Sequence, residues 1–144
     1  MRNFKYFTLK ELCYSKVAED KKIDNFPSFD VVEHLSELTE KILDPLREAW
    51  GSGIRVNSGY RCDTLNNAVK GVKTSVHRLG WAADLYPSNG KYKEFVLFVK
   101  DWVVKNRIRF DQIIEESAGS DKWLHIGLYS TTGSQRGQIF NIDK

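Results

Sequence analysis

The side chains in this sequence with the most chemistry to offer are two histidines, an aspartate inside an apolar run and an arginine behind a glycine turn. His77 lies in the polar loop Thr74-Ser75-Val76-His77-Arg78-Leu79-Gly80, just ahead of the apolar run Trp81 to Leu85, and that run carries Asp84 among alanines and leucines. A carboxylate in such a setting is costly unless a cation or hydrogen bonds compensate it. His125, inside Trp123-Leu124-His125-Ile126, poses the same question. If the three met at one point, two imidazoles and a carboxylate would give Zn²⁺ three protein ligands and leave a fourth position for water. The competing reading makes each a core residue with its own local hydrogen bond. No compact motif of the HExxH kind decides between the two. The third histidine, His34, falls on the polar side of an amphipathic helix and reads as solvated.

Arg61 leaves the turn Ser58-Gly59-Tyr60, a position suited to a fixed guanidinium that grips a substrate carboxylate through two parallel hydrogen bonds. A surface arginine would look the same. Glu115 and Glu116 close the run Phe110-Asp111-Gln112-Ile113-Ile114. Strand alternation sends them to opposite faces, so one can point at a site on the neighbouring strand while the other is solvated.

The elements that must position these groups follow from pattern. Thr8 and Glu11 have capping-box spacing and open a short helix through Leu12. Ala18 to Pro27 reads as a loop. From Ser28, Val31, Leu35, Leu38, Ile42 and Leu46 recur at helical steps, with Pro45 expected to kink the helix or restart it with Asp44 as cap, and Gly51-Ser52-Gly53 to end it. Ile54 to Asn57 is a strand, and Asp63 caps a short helix through Val69. Ala82 to Tyr86 is a second strand, stopped by Pro87-Ser88-Asn89-Gly90. Lys91 to Asn106 is helical, with Phe95, Val99, Trp102 and Val103 on one face. Phe110 to Glu116 and Trp123 to Leu128 form an antiparallel pair, and Gln138 to Ile142 is an edge strand candidate. Helices leading and strands gathering later predict an α+β fold: a small antiparallel sheet flanked by helices.

Bulk properties narrow the function classes. A chain of 144 residues, 41% hydrophobic and 28% charged, is expected to form one globular domain. A net charge of +3, with its cations interleaved with acids, argues against nucleic acid. No run approaches the roughly 20 apolar residues of a membrane helix, and Met1 to Leu12 does not read as a signal peptide. Cys13 and Cys62 stand far apart and read as reduced thiols, a single bridge being the alternative outside the cell.

The run Ser75-Val76-His77-Arg78-Leu79-Gly80-Trp81-Ala82-Ala83-Asp84 resembles the SxHxxGxAxD signature of the zinc D-Ala-D-Ala metallopeptidases, a family of carboxypeptidases, dipeptidases and phage endolysins with the hedgehog/DD-peptidase fold. The resemblance extends to Ser58-Gly59-Tyr60-Arg61, to Leu65-Asn66, to Phe110-Asp111-Gln112-Ile113-Ile114 and to Trp123-Leu124-His125, in the family's order. It implies zinc held by His77, Asp84 and His125, with Arg61 orienting the substrate carboxylate or polarising the scissile carbonyl. Ser75 would hydrogen-bond substrate, and Glu116 rather than Glu115 would be the general base. Two departures stand out: Gly127 replaces the serine two residues after the last ligand, and Lys122 stands where the dipeptidase and endolysin branches carry a glutamate. The second favours a carboxypeptidase-like branch with its base upstream. The implied substrates are peptidoglycan peptides containing D-amino acids. The implied setting is a monomer made in the cytoplasm that reaches the wall after holin-type release or as a virion component. A non-catalytic wall-binding or phage structural module of the same fold is the alternative.

Overall fold

The computed structural model describes residues 4–144; the first three residues of the Met1–Leu12 stretch, read above as free of a signal peptide, lie outside the described residues. Helices α1 (Leu9–Cys13), α2 (Lys16–Asp20), α3 (Phe29–Leu38) and α4 (Asp44–Trp50) come first. Strand β1 (Ile54–Ser58), α5 (Asp63–Ala68), a 3₁₀ turn (Val76–Leu79), β2 (Ala82–Pro87) and α6 (Tyr92–Lys105) follow, and β3 (Gln112–Ala118), β4 (Asp121–Gly127) and β5 (Gln138–Asp143) complete the chain. The strands form one sheet in the order β1-β2-β4-β3-β5, antiparallel except where β5 runs parallel to β3. The α+β expectation holds, with that one parallel pair added.

Alternation divides the sheet into two working faces. Ala83, Leu85, Ile113, Leu124 and Ile126 are fully buried and join Leu35, Leu38, Leu43, Phe95 and Val99 of the helices in one apolar cluster. The opposite face carries Asp84, His125 and Glu116. Register brings them together, since Asp84 pairs with His125 and His125 with Ile114, two residues before Glu116 on the same face. The apolar contacts on one face therefore fix the polar cluster on the other.

Several local expectations need correction. The segment read as a loop from Ala18 contains part of α2, because Ser15 caps it by accepting from the Ala18 N–H at 3.2 Å and Lys16 pairs with Asp20 one turn on. Cys62, not Asp63, caps α5, while the Asp63 carboxylate accepts from Arg78 Nε at 2.7 Å. Asp44 is not the cap of a helix restarted at Pro45: Leu43 precedes α4, with no side-chain cap bond, and Pro45 sits in the first turn. The helix widens into a π turn at Thr39–Leu43 and runs on, which gives room to a ring that cannot donate an N–H. Asp44 instead ties down the start of the described chain, accepting from the Lys5 and Tyr6 N–H groups at 2.8 and 2.9 Å. The β3–β4 hairpin is tighter than expected: Ala118 pairs with Asp121 across a two-residue turn whose first residue, Gly119, has φ +63°. That left-handed geometry suits the twist of a hairpin, so pairing runs on past Glu116 and begins before Trp123.

Gly59 is where packing admits no side chain. A Cβ there would lie 2.1 Å from the Leu12 carbonyl oxygen, a backbone atom that also accepts the Tyr60 N–H at 2.8 Å. Gly59→Ala is therefore expected to destabilise the protein by about 2–4 kcal/mol, since α1 or the turn must move. Denaturant titration checks this, and a loss below 0.5 kcal/mol, roughly the size of a neutral surface change, would show that the approach relaxes freely.

Candidate metal centre and active site

The first ligand candidate is positioned by a short chain of backbone bonds. A bulge between Val56 and Ser58 at the end of β1 sets Ser58 opposite Asp84 and carries Gly59 beneath the 3₁₀ turn. The His77 Nδ1–H donates to the Gly59 carbonyl at 2.7 Å, and the Arg61 N–H donates back to the His77 carbonyl at 3.1 Å. Ser75 caps the turn, its Oγ accepting from the His77 N–H at 3.2 Å. Gly80 closes it at φ +79°, against the Val31 carbonyl of α3.

His34 belongs to this support rather than to solvent, correcting its reading as a solvated surface residue. Its Nδ1 lies 2.6 Å from the Leu79 carbonyl and its ring stacks on Trp81 at 3.9 Å. Asn25, read only as part of the loop from Ala18 to Pro27, is a second missed brace. Its amide donates to the Cys13 and Tyr60 carbonyls at 2.9 and 3.0 Å and accepts from the Cys62 N–H at 2.8 Å, holding the turn that bears Arg61. Neither residue left a sequence signal, because each bonds backbone atoms far along the chain.

His77, Asp84 and His125 converge with one ligand atom from each, all within 4.8 Å of one another and all buried. His77 Nε2 is 3.2 Å and His125 Nδ1 is 3.1 Å from the same Asp84 oxygen, and the two rings meet edge-on with centroids 5.1 Å apart. Their chemistry fits a metal better than a purely structural cluster. The Gly59 carbonyl can only accept, so it fixes the proton of a neutral His77 on Nδ1 and turns the Nε2 lone pair toward a carboxylate oxygen. Two acceptors facing each other at 3.2 Å require a cation or a proton between them. Burial pushes the His77 imidazole below its ordinary range, against the pull of Asp84, and so disfavours the proton. Burial alone would raise the Asp84 carboxyl, yet the charges and hydrogen bonds of His77 and His125 carry it well below the usual carboxylate range. His77 thus offers a neutral imidazole nitrogen beside an ionised carboxylate, and with the His125 ring they make a donor combination that can hold a divalent ion such as zinc.

Around this centre stand the remaining candidates. Glu116 is 6% exposed, with Oε1 3.7 Å from His125 Nδ1 and Oε2 2.6 Å from Lys144 Nζ. Glu115 faces the other side of the sheet, where it is half-buried against Lys100 at 2.6 Å instead of free in solvent. Arg61 is half-buried; its Nη2 donates to Ser75 Oγ at 3.3 Å, and its buried Nε–H has no partner among the described residues. Desolvation lowers its pKa, while the charges of Asp84 and Glu116 act in the opposite sense. A guanidinium with an unanswered buried donor is ready to receive an oxygen. Ser75 Oγ is engaged with both Arg61 and the His77 backbone, so its clearest contribution here is to hold those two groups. Cys13 and Cys62 are free thiols, and burial pushes that of Cys13 up to about 11.

A family model described as Peptidase M15 matches residues 5–126, a span that contains His77, Asp84, His125, Arg61, Ser75 and Glu116. The chain belongs to the peptidase M15 family. This is the zinc D-Ala-D-Ala metallopeptidase family that the SxHxxGxAxD run resembles. No curated protein gives a match to the chain. For an M15 peptidase the substrate is a peptide, and no helix among the described residues is long and apolar enough to cross a membrane. The M15 match stops at Ile126, so β5 and Lys144 lie beyond it.

Proposed function

We propose that this M15 peptidase is a zinc enzyme that cleaves peptidoglycan stem or cross-link peptides containing D-amino acids, as a carboxypeptidase or endopeptidase of the phage or prophage lysin kind. The observation that carries the reading is the convergence of three buried ligand atoms, a buried glutamate and an under-bonded arginine on one sheet face. The family signatures at those same residues point to the wall peptides.

His77 through Nε2, Asp84 through a carboxylate oxygen and His125 through Nδ1 would hold the ion. A zinc ion so held supplies a Lewis acid and a water whose pKa is brought near neutrality. Glu116 takes the proton released when water attacks the peptide carbonyl and delivers it to the leaving amine. Arg61 binds either the substrate's terminal carboxylate or the carbonyl oxygen on which negative charge develops.

Incubation of the zinc-loaded protein with purified peptidoglycan, followed by mass analysis of released fragments and new termini, tests the reading and identifies the bond. Release of D-alanine alone marks a carboxypeptidase, and cross-link or stem cleavage marks an endopeptidase. Intact peptidoglycan and intact soluble stem peptides would overturn the proposal.

Arg61→Lys keeps the charge but loses the planar fork. It is expected to lower kcat/KM by about tenfold to a few hundredfold, with zinc content and folding stability nearly unchanged. Kinetics on peptides with and without a free terminal carboxylate separate the two roles. Loss of the preference between them assigns Arg61 to the carboxylate, and equal slowing assigns it to the carbonyl oxygen. Wild-type rates on both would remove it from the mechanism.

A further inference from the structure

Glu116 has a partner that the family-matched part of the chain does not supply. Strand β5 joins the sheet at its edge, parallel to β3, with Ile142 opposite Glu116 and Asp143 opposite Ser117. Ser117 Oγ donates to Asp143 Oδ1 at 2.6 Å, and the Lys144 N–H donates to the Ser117 carbonyl at 2.6 Å. These bonds fix the strand end beside the base. The Lys144 side chain then reaches back over the site face, its Nζ 2.6 Å from Glu116 Oε2 and 5.6 Å from the centre of the Trp123 ring.

We infer that Lys144 is a positioning residue for Glu116, supplied at the end of β5 from outside the family-matched span. This rests on the reading of Glu116 as the base. A carboxylate with both oxygens free can rotate away from the ligand set. With Oε2 held by an ammonium, Oε1 is left facing His125 Nδ1, the side on which a proton must be collected. The geometry also suits the energetics. The Lys144 side chain is 55% exposed and keeps much of its hydration, whereas that of Glu116 is 7% exposed and gains a charge-assisted bond to replace lost water.

The test compares Lys144→Ala, Lys144→Arg, Glu116→Gln and the Glu116→Gln/Lys144→Ala double variant, as full zinc-loaded chains acting on a synthetic stem peptide ending in D-Ala-D-Ala. Lys144→Ala should lower kcat by about tenfold to a hundredfold with KM changed less than about twofold, because the loss falls on the reacting arrangement rather than on binding. Arginine should restore most of the rate. The double variant should be no slower than Glu116→Gln alone, since Lys144 acts through the carboxylate. Independently of activity, the Lys144 ammonium signal in ¹⁵N NMR should show slowed proton exchange that Glu116→Gln weakens, because a charge-assisted bond becomes a neutral one. A raised KM at unchanged kcat would make Lys144 a substrate contact, and a raised kcat would make it a block on the base. Either result overturns the inference, as does wild-type kinetics of Lys144→Ala beside an inactive Glu116→Gln. A fully active Glu116→Gln would sink the base assignment as well, which separates the two failures.

Discussion

Glu116→Gln is expected to lower kcat by about 10²–10⁴-fold while leaving bound zinc at one per chain, the loss typical of a missing general base. The substitution touches none of the candidate ligands, which are His77, Asp84 and His125, and Glu116 Oε1 stands 3.7 Å from His125 Nδ1. Glutamine keeps the volume and can still accept from Lys144, but it cannot take a proton at neutral pH. The companion variant Glu115→Gln is expected to be nearly silent in turnover, because alternation turns it to the opposite face against Lys100. Losing that partly exposed ion pair should cost no more than about 1 kcal/mol of stability. Steady-state kinetics and elemental analysis of both proteins check the pair of expectations, and the reverse pattern would move the base to the other face.

Removal of the ligands should act on metal content and stability together. The His77→Ala/His125→Ala double variant is expected to lose stoichiometric zinc and all activity. It should also be less stable than the metal-free wild type, by about 3–5 kcal/mol, the scale for stranding a buried charge. Both histidines meet one oxygen of Asp84, which is 8% exposed, so their removal leaves that carboxylate without its partners. Asp84→Asn should differ in a diagnostic way: zinc is lost, but the metal-free protein is at least as stable as metal-free wild type, since no buried charge remains to be compensated. Adding zinc should raise the wild-type Tm by mass action and leave both variants unmoved. Stoichiometric zinc in the double histidine variant would show that the ion sits elsewhere.

How much of this was legible beforehand depended on the range over which each feature is encoded. The capping box at Thr8, the buried face of α6, the left-handed stop at Gly51 and the main strands are local or periodic, and they were readable. The ligand set was nameable because His77 and Asp84 share one short signature run and His125 stands in an apolar strand. The sequence left open whether they meet. Register decides that, by setting Asp84 against His125 and Ser58 against Asp84 while apolar residues of the other face lock the strands.

The choice between Glu115 and Glu116 was likewise tertiary. Alternation says only that they diverge, and the sheet's packing against the helices decides which side is apolar core. The roles of His34, Asn25 and Lys144 were not legible because their partners lie 45, 35 and 28 positions away in the chain: Leu79, Tyr60 and Glu116. Local sequence carries propensity and pattern, so it named the groups capable of holding a metal and moving a proton. Which of those groups face one another, and which backbone carbonyl fixes the His77 proton, is set by contacts that exist only once the chain has folded, because hydrogen bonding acts across space without regard to order along the chain.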